Sequence, residues 1–209
     1  MPSPLGLFGG SGGFFFFQEA AMQDLQIINA MLRQEAQQPV ASLTDTHPMI
    51  PICLGIIQEE RNALLSQGWW FNTVTVTLQP GNDGAVREPT NALQTHARGY
   101  VPVDGRLMTC DGQDPTGPVK AKLFLHMTTQ QLPEVAATHL VARCRFRYAA
   151  DIIKDPTEYT AAERDAEKTL VALKAAHIRQ QAPMGRNRYQ RAVDRVFTQN
   201  YANRFLETF

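Results

Sequence analysis

Cysteine is scarce and neither sign of charge is in excess, and both shortages narrow the field. Cys53, Cys110 and Cys144 are the three cysteines in 209 residues. They form no CxxC pair and have no histidine at zinc-ligand spacing, so the chain carries neither a disulfide scaffold nor a zinc module. All three read as free thiols of a reducing interior. Twenty basic residues balance twenty acidic ones, which removes any overall electrostatic case for nucleic acid or an anionic membrane and leaves local patches to be judged one by one. No glycine-rich phosphate loop, HExxH, GxSxG or Cys/His nucleophile pair occurs, and the five histidines are scattered singly. Catalytic residues, a metal set and a cofactor are therefore expected to be absent, and an enzyme would need an unrecognised site. The opening stretch, Met1 to Phe17, lacks a basic leader. Its longest apolar run, Phe14 to Phe17, is too short for a signal core and far below the ~20 residues that span a bilayer.

What is present is a hydrophobic content of 44%, enough to bury a real core in one domain with appendages. The pivot is Gln58 to Asn72. Gly68 reads as the left-handed stop after a helix, and Trp69, Trp70 and Phe71 follow it. Each aromatic carries about 150–250 Å² of surface, which marks this corner as the candidate densest part of the core.

Residues 1–17, rich in glycine and phenylalanine, read either as a flexible arm that docks its aromatics on a neighbouring surface or as a disordered end. From Gln18 to Gln37, Ala21, Leu25, Ile28, Leu32 and Ala36 recur at helical spacing, and Pro39 closes that helix. A second helix begins near Pro48 and Pro51, with Ile52, Ile56, Ala63 and Leu64 as its inner face, and runs to Gly68. Thr73 to Leu78 alternates with period two and predicts a strand. Short runs follow at Arg98 to Val103, Arg106 to Cys110 and Val119 to Leu125, with Asp104-Gly105 as a hairpin turn. Asp104, Asp111 and Asp114 match no calcium-loop spacing.

A third helix opens at Pro133. Leu132, Val135, Ala136, Phe146 and Ala150 form one apolar face, which also holds His139 and Arg143, while Leu140, Val141, Cys144 and Tyr148 form a second. A helix apolar nearly all round is buried centrally or against another subunit, and an arginine buried on it needs a carboxylate or carbonyl partner. His139 reads as a packed, hydrogen-bonded histidine rather than a ligand. Asp155-Pro156-Thr157-Glu158 starts a fourth helix with a capping arrangement, and Ala162, Ala166, Leu170, Leu173 and His177 line its inner face. Beyond it, Arg186, Arg188, Arg191, Arg195 and Arg204 interleave with Tyr189, Phe197, Tyr201, Phe205 and Phe209, the pairing that interface cores favour. A nucleic-acid-binding arm and a frayed basic end are the other readings of this tail.

In order and spacing, Ile28-Asn29 with Leu32, Pro39-Val40, Ser42-Leu43, Leu65-Ser-Gln-Gly-Trp69, Phe71-Asn72 and Leu132-Pro133-Glu134 resemble the tail tubular protein A family, the head-to-tail adaptors of short-tailed bacteriophages. The resemblance covers roughly residues 20 to 182. It implies a non-enzymatic virion protein that forms a twelve-fold ring between the portal and the tail nozzle, which is made of tubular protein B. Tail fibres attach near that junction and DNA passes through the middle without sequence-specific contact. Assembly would take place in the host cytoplasm. The family carries a glycine where this chain has Ala36, which suggests a first helix running a residue or two further.

The expectation is an α+β fold. Residues 18–182 form an adaptor domain, a four-helix bundle with a mainly antiparallel sheet inserted at about 71–125, and residues 1–17 and 183–209 are arms. Portal binding is assigned to Arg186, Arg188, Tyr189, Arg191, Arg195, Phe197, Tyr201, Arg204 and Phe205. The subunit interface is assigned to Leu140, Val141, Cys144 and Tyr148, and the structural core to Gly68, Trp69, Trp70 and Phe71.

Overall fold

The computed structural model describes residues 23–181. The first helix, α1, is described over 23–32 and buries Ile27, Ile28, Met31 and Leu32. It tightens into a 3-10 turn at Arg33–Glu35 and stops at Ala36, which takes φ 53°. The expected extension past this point does not occur, because Ala36 adopts the left-handed conformation that a glycine would take there. Asn29 holds the returning chain in place. Its amide donates to the Val40 carbonyl at 3.0 Å, and its Oδ1 accepts from the Val40 N–H at 2.9 Å.

Helix α2, Met49–Ser66, buries Ile50, Cys53, Ile56, Ile57, Glu60, Leu64 and Leu65. The expected inner face is corrected here: Ile52 is 46% exposed and Ala63 also faces solvent, so the buried stripe is rotated from the one the sequence suggested. The rotation follows from Glu60, a charged residue on the inner stripe that pairs with Arg143 of α3.

Six antiparallel strands follow in spatial order β1-β6-β3-β4-β5-β2. They are β1 Thr73–Leu78, β2 Val86–Arg87, β3 Ala92–Ala97, β4 Tyr100–Val103, β5 Arg106–Thr109 and β6 Val119–Leu125. The Asp104-Gly105 turn joins β4 to β5 with φ of 47° and 73°, a two-residue hairpin whose twist matches the strands. The run expected from Arg98 to Val103 divides, because Arg98-Gly99 is itself a turn and the strand starts at Tyr100. The sheet curls so that Val86 and Leu107 near one edge pack with Val119 and Leu78 near the other, making a second, small core.

Helix α3, Glu134–Tyr148, continues into a π turn at Ala149–Ile153 that Lys154 closes at φ 56°. Helix α4, Pro156–Gln181, starts as expected, with Asp155 Oδ1 accepting from the Thr157 N–H at 2.7 Å. All four helices contribute side chains to the main core: Ile28 and Met31 from α1, Ile57 and Leu65 from α2, Leu140 and Tyr148 from α3, and Leu173 from α4. The protein is thus α+β, with four helices among the described residues beside an antiparallel sheet.

Candidate functional site

The corner after α2 ties the two layers together. Gly68 takes φ +70°, and its N–H reaches the Leu65 carbonyl at 3.3 Å. The Phe124 ring of β6 lies where a side chain at position 68 would be, since an added Cβ would sit 2.2 Å from the ring. Trp69 is 5% exposed, and its indole N–H donates to the Leu64 carbonyl at 2.8 Å, satisfying one of the orphan acceptors at the helix end. Trp70 and Phe71 are half-buried on the margin of the core. The side chains with no exposed surface instead concentrate among α1, α2 and α3, because flat helix faces interdigitate more fully than a turning chain. His177 of α4 closes the corner, with its ring edge-on to Trp69 at 5.3 Å and its Nδ1 accepting from the Trp70 N–H at 3.2 Å.

Sequence reasoning named Asn72 only as the end of the pivot stretch and as part of the family resemblance, with no structural role, yet it is fully buried and joins α2 to β6. Its side-chain amide donates to the Leu65 carbonyl at 2.7 Å, and its main-chain carbonyl accepts from the Leu125 N–H at 2.7 Å. The available signal was an asparagine directly after an aromatic cluster, a place where a plain core residue would be apolar.

Three ion or hydrogen-bond pairs lock α3. Arg143 donates to both Glu60 oxygens, at 2.9 and 3.4 Å, and its guanidinium lies 5.3 Å from the Phe146 ring centre. The sequence expected a buried arginine; the glutamate is the more buried partner, with 9% of its side chain exposed against 39% for Arg143. Tyr148 has no exposed surface, and its hydroxyl donates to Glu35 Oε2 at 2.8 Å. Burial, then that hydrogen bond, pushes the phenol well above its usual range. His139 is 4% exposed with Nδ1 at 3.0 Å from the Thr169 hydroxyl, and burial, then nearby Arg143, pulls it down to about 4.

Of the four residues expected at a subunit interface, Leu140, Cys144 and Tyr148 have no exposed surface and pack inside the subunit's own core; Val141 alone is half-buried. The second apolar face of α3 packs into the main core with side chains of α1, α2 and α4. The nine residues expected to bind the portal lie outside the described residues. Cys53 and Cys144 are buried, and burial holds both thiols protonated, pushing Cys53 up to about 11. These buried polar groups are therefore committed to neutral or paired forms that join elements rather than offering an acid or base to solvent. Exposed apolar side chains remain at Val171 and Ile178 on α4, at Val101 and Val103 on β4, and at Val74 on β1.

Comparison with known proteins places this geometry. The tail tubular protein family model matches residues 25–183. The chain is also similar to Tail tubular protein A of Klebsiella phage KP34, with 26% identity over 182 residues that cover 84% of this chain and 98% of that protein. A match running from α1 through the corner, the sheet and α4 takes in every element described above, and the chain belongs to the tail tubular protein family.

Proposed function

We propose that the chain is a structural subunit of a short-tailed phage virion, one of a ring of identical copies that joins the portal to the tail nozzle and keeps the DNA channel continuous. The family match over residues 25–183 is the observation that carries this reading. In this reading the four helices form the bundle of an adaptor domain over residues 18–182, the curled sheet is its insertion, and the tail fibres attach near the junction with the nozzle. The interlocked corner suits a part that transmits load rather than one that turns over substrate: Asn72, Trp69 and His177 bind helix, sheet and α4 at one point. Because α3 is satisfied within the subunit, the flank of the ring is assigned instead to α4, where Val171 and Ile178 stand seven residues apart on one exposed face.

The arm from residue 183 to 209 is the proposed portal contact. Its five arginines against two acids would meet an acidic groove, and Tyr189, Phe197, Tyr201 and Phe205 would supply anchors. Co-sedimentation with the portal of the same phage tests this. Deletion of residues 183–209 is expected to abolish it, and replacing Arg188, Arg191 and Arg195 by alanine is expected to weaken it in a salt-sensitive way. Undiminished binding by the deletion variant overturns the assignment. Salt-dependent retention of DNA by the same arm, with no portal binding, would favour the nucleic-acid reading instead.

A further inference from the structure

The strands of the sheet carry charge of one sign only. Their charged side chains are Arg87, Arg106, Lys120 and Lys122, all exposed, and no strand among the described residues holds an aspartate or glutamate. Pleating puts all of them on one face. Val86, Leu107 and Val119 fill the second core, so their chain neighbours Arg87, Arg106 and Lys120 point to the opposite, outer face, and Lys122 follows Lys120 by one strand period. Arg87 is offset by Asp83 in the turn before β2, whereas Lys120 and Lys122 form no ion pair among the described residues.

Polar groups surround these two lysines. On β1, Thr75 stands directly opposite Lys122 and Thr77 opposite Lys120, and on β3 His96 stands opposite Lys122. The Lys122 amine lies 5.2 Å from the centre of the Phe124 ring and the His96 ring lies 4.9 Å from it, so one buried aromatic positions both. Three strands about 4.8 Å apart, and lysines about 7 Å apart along β6, make a patch of about 10 by 7 Å.

A cationic patch with no acid inside it fits an anionic partner, and its composition distinguishes one kind from another. Protein interfaces are built round an apolar centre, and this patch has none, since the exposed Val101 and Val103 stand on β4, beyond β3. Single-stranded nucleic acid is held by stacking, and the patch exposes no phenylalanine, tyrosine or tryptophan. Lysine ammoniums and threonine hydroxyls are groups that hold duplex phosphates without reading sequence.

We propose that Lys120 and Lys122, with Thr75, Thr77 and His96 beside them, bind the phosphate backbone of duplex DNA independently of its sequence. The source of that DNA rests on the ring reading above: this face of the sheet borders the channel, and each copy presents the same two lysines to the passing duplex. Phosphate contacts that are few and sequence-independent leave the duplex free to slide.

Fluorescence anisotropy of the full chain with a labelled random-sequence duplex, from about 20 to about 200 mM salt, tests the proposal. The variant Lys120→Gln with Lys122→Gln is expected to bind at least about 10-fold more weakly at the low-salt end. Its slope of log affinity against log salt is expected to shrink by about 2, close to one counterion for each lysine lost. Lys168→Gln with Lys174→Gln removes the same charge from exposed positions on α4 and is expected to leave binding within about 3-fold of native. All four lysines are exposed, so both variants are expected to melt within a few degrees of the native chain. Absence of binding by the native chain overturns the proposal, and so does an equal loss in both variants, which would make it an effect of net charge. Binding that survives the change at Lys120 and Lys122 but is lost in the Arg188→Ala, Arg191→Ala, Arg195→Ala variant gives the DNA to the arm and overturns it. Retention of polyglutamate in place of DNA gives the patch to an acidic protein, with the same result. A portal left bare in electron microscopy contradicts the ring reading without touching this binding, so the two failures are told apart.

Discussion

A methyl group at position 68 would meet two obstacles at once, a φ of +70° and the Phe124 ring at 2.2 Å. Left-handed backbone costs a non-glycine residue about 1–2 kcal/mol, and overpacking adds about 1–3 kcal/mol. Gly68→Ala is therefore expected to lower stability by about 2–5 kcal/mol in urea unfolding. Ala36, at φ 53°, presents the opposite case: Ala36→Gly is expected to raise stability by about 1 kcal/mol in the same measurement. His139 gives a pH signature. Its folded value of about 4 lies below the unfolded 6.5, so the unfolded chain binds a proton first as pH falls. The stabilisation is complete above about pH 6.5 and is lost on going down to about pH 4, an effect on the order of 2–3 kcal/mol. His139→Asn is expected to flatten that part of the pH–stability curve, and an unchanged slope would contradict the assignment. Gly68 was legible at this scale because a stop glycine has a local signal. Asn72 and the Arg143–Glu60 pair were not, because partners 53 and 83 positions away leave no spacing to read.

At the scale of elements, α3 carries the lesson. Its two apolar faces were read from periodicity, which shows only that a face is buried, and Leu140, Cys144 and Tyr148 of the second face lie in the subunit's own core beside side chains of α1, α2 and α4. Leu140→Ala is accordingly expected to cost the subunit itself about 2–5 kcal/mol, read as a lowered melting temperature of the isolated chain, not as a selective defect in assembly. The start of α4 was legible because Asp-Pro-x-Glu writes its own cap. The first strand and the Asp104-Gly105 turn were legible for a similar reason, alternation and turn chemistry being local. Strand β3, Ala-Leu-Gln-Thr-His-Ala, was missed because its residues have little strand preference. Its place is set by pairing with β6, the strand at the sheet's interior.

For the whole molecule, the helical layer and the curled sheet meet at one fixed corner, and the family match runs through both. Fold class and family were legible because order and spacing of several short segments agree over a long span; the flank proposed on α4 was not, since Tyr159, Val171 and Ile178 are the large exposed apolar side chains on an otherwise polar surface. Val171→Asp combined with Ile178→Asp is expected to leave the melting temperature of the subunit within a few degrees of the native chain while lowering the assembled fraction in analytical ultracentrifugation. Copies of this chain are proposed to form the ring between portal and nozzle. Electron microscopy of the full chain mixed with the portal of the same phage tests it most directly: the account predicts a closed ring of this subunit seated coaxially on the portal with an open channel, and portals that remain bare at saturating subunit concentration would contradict it.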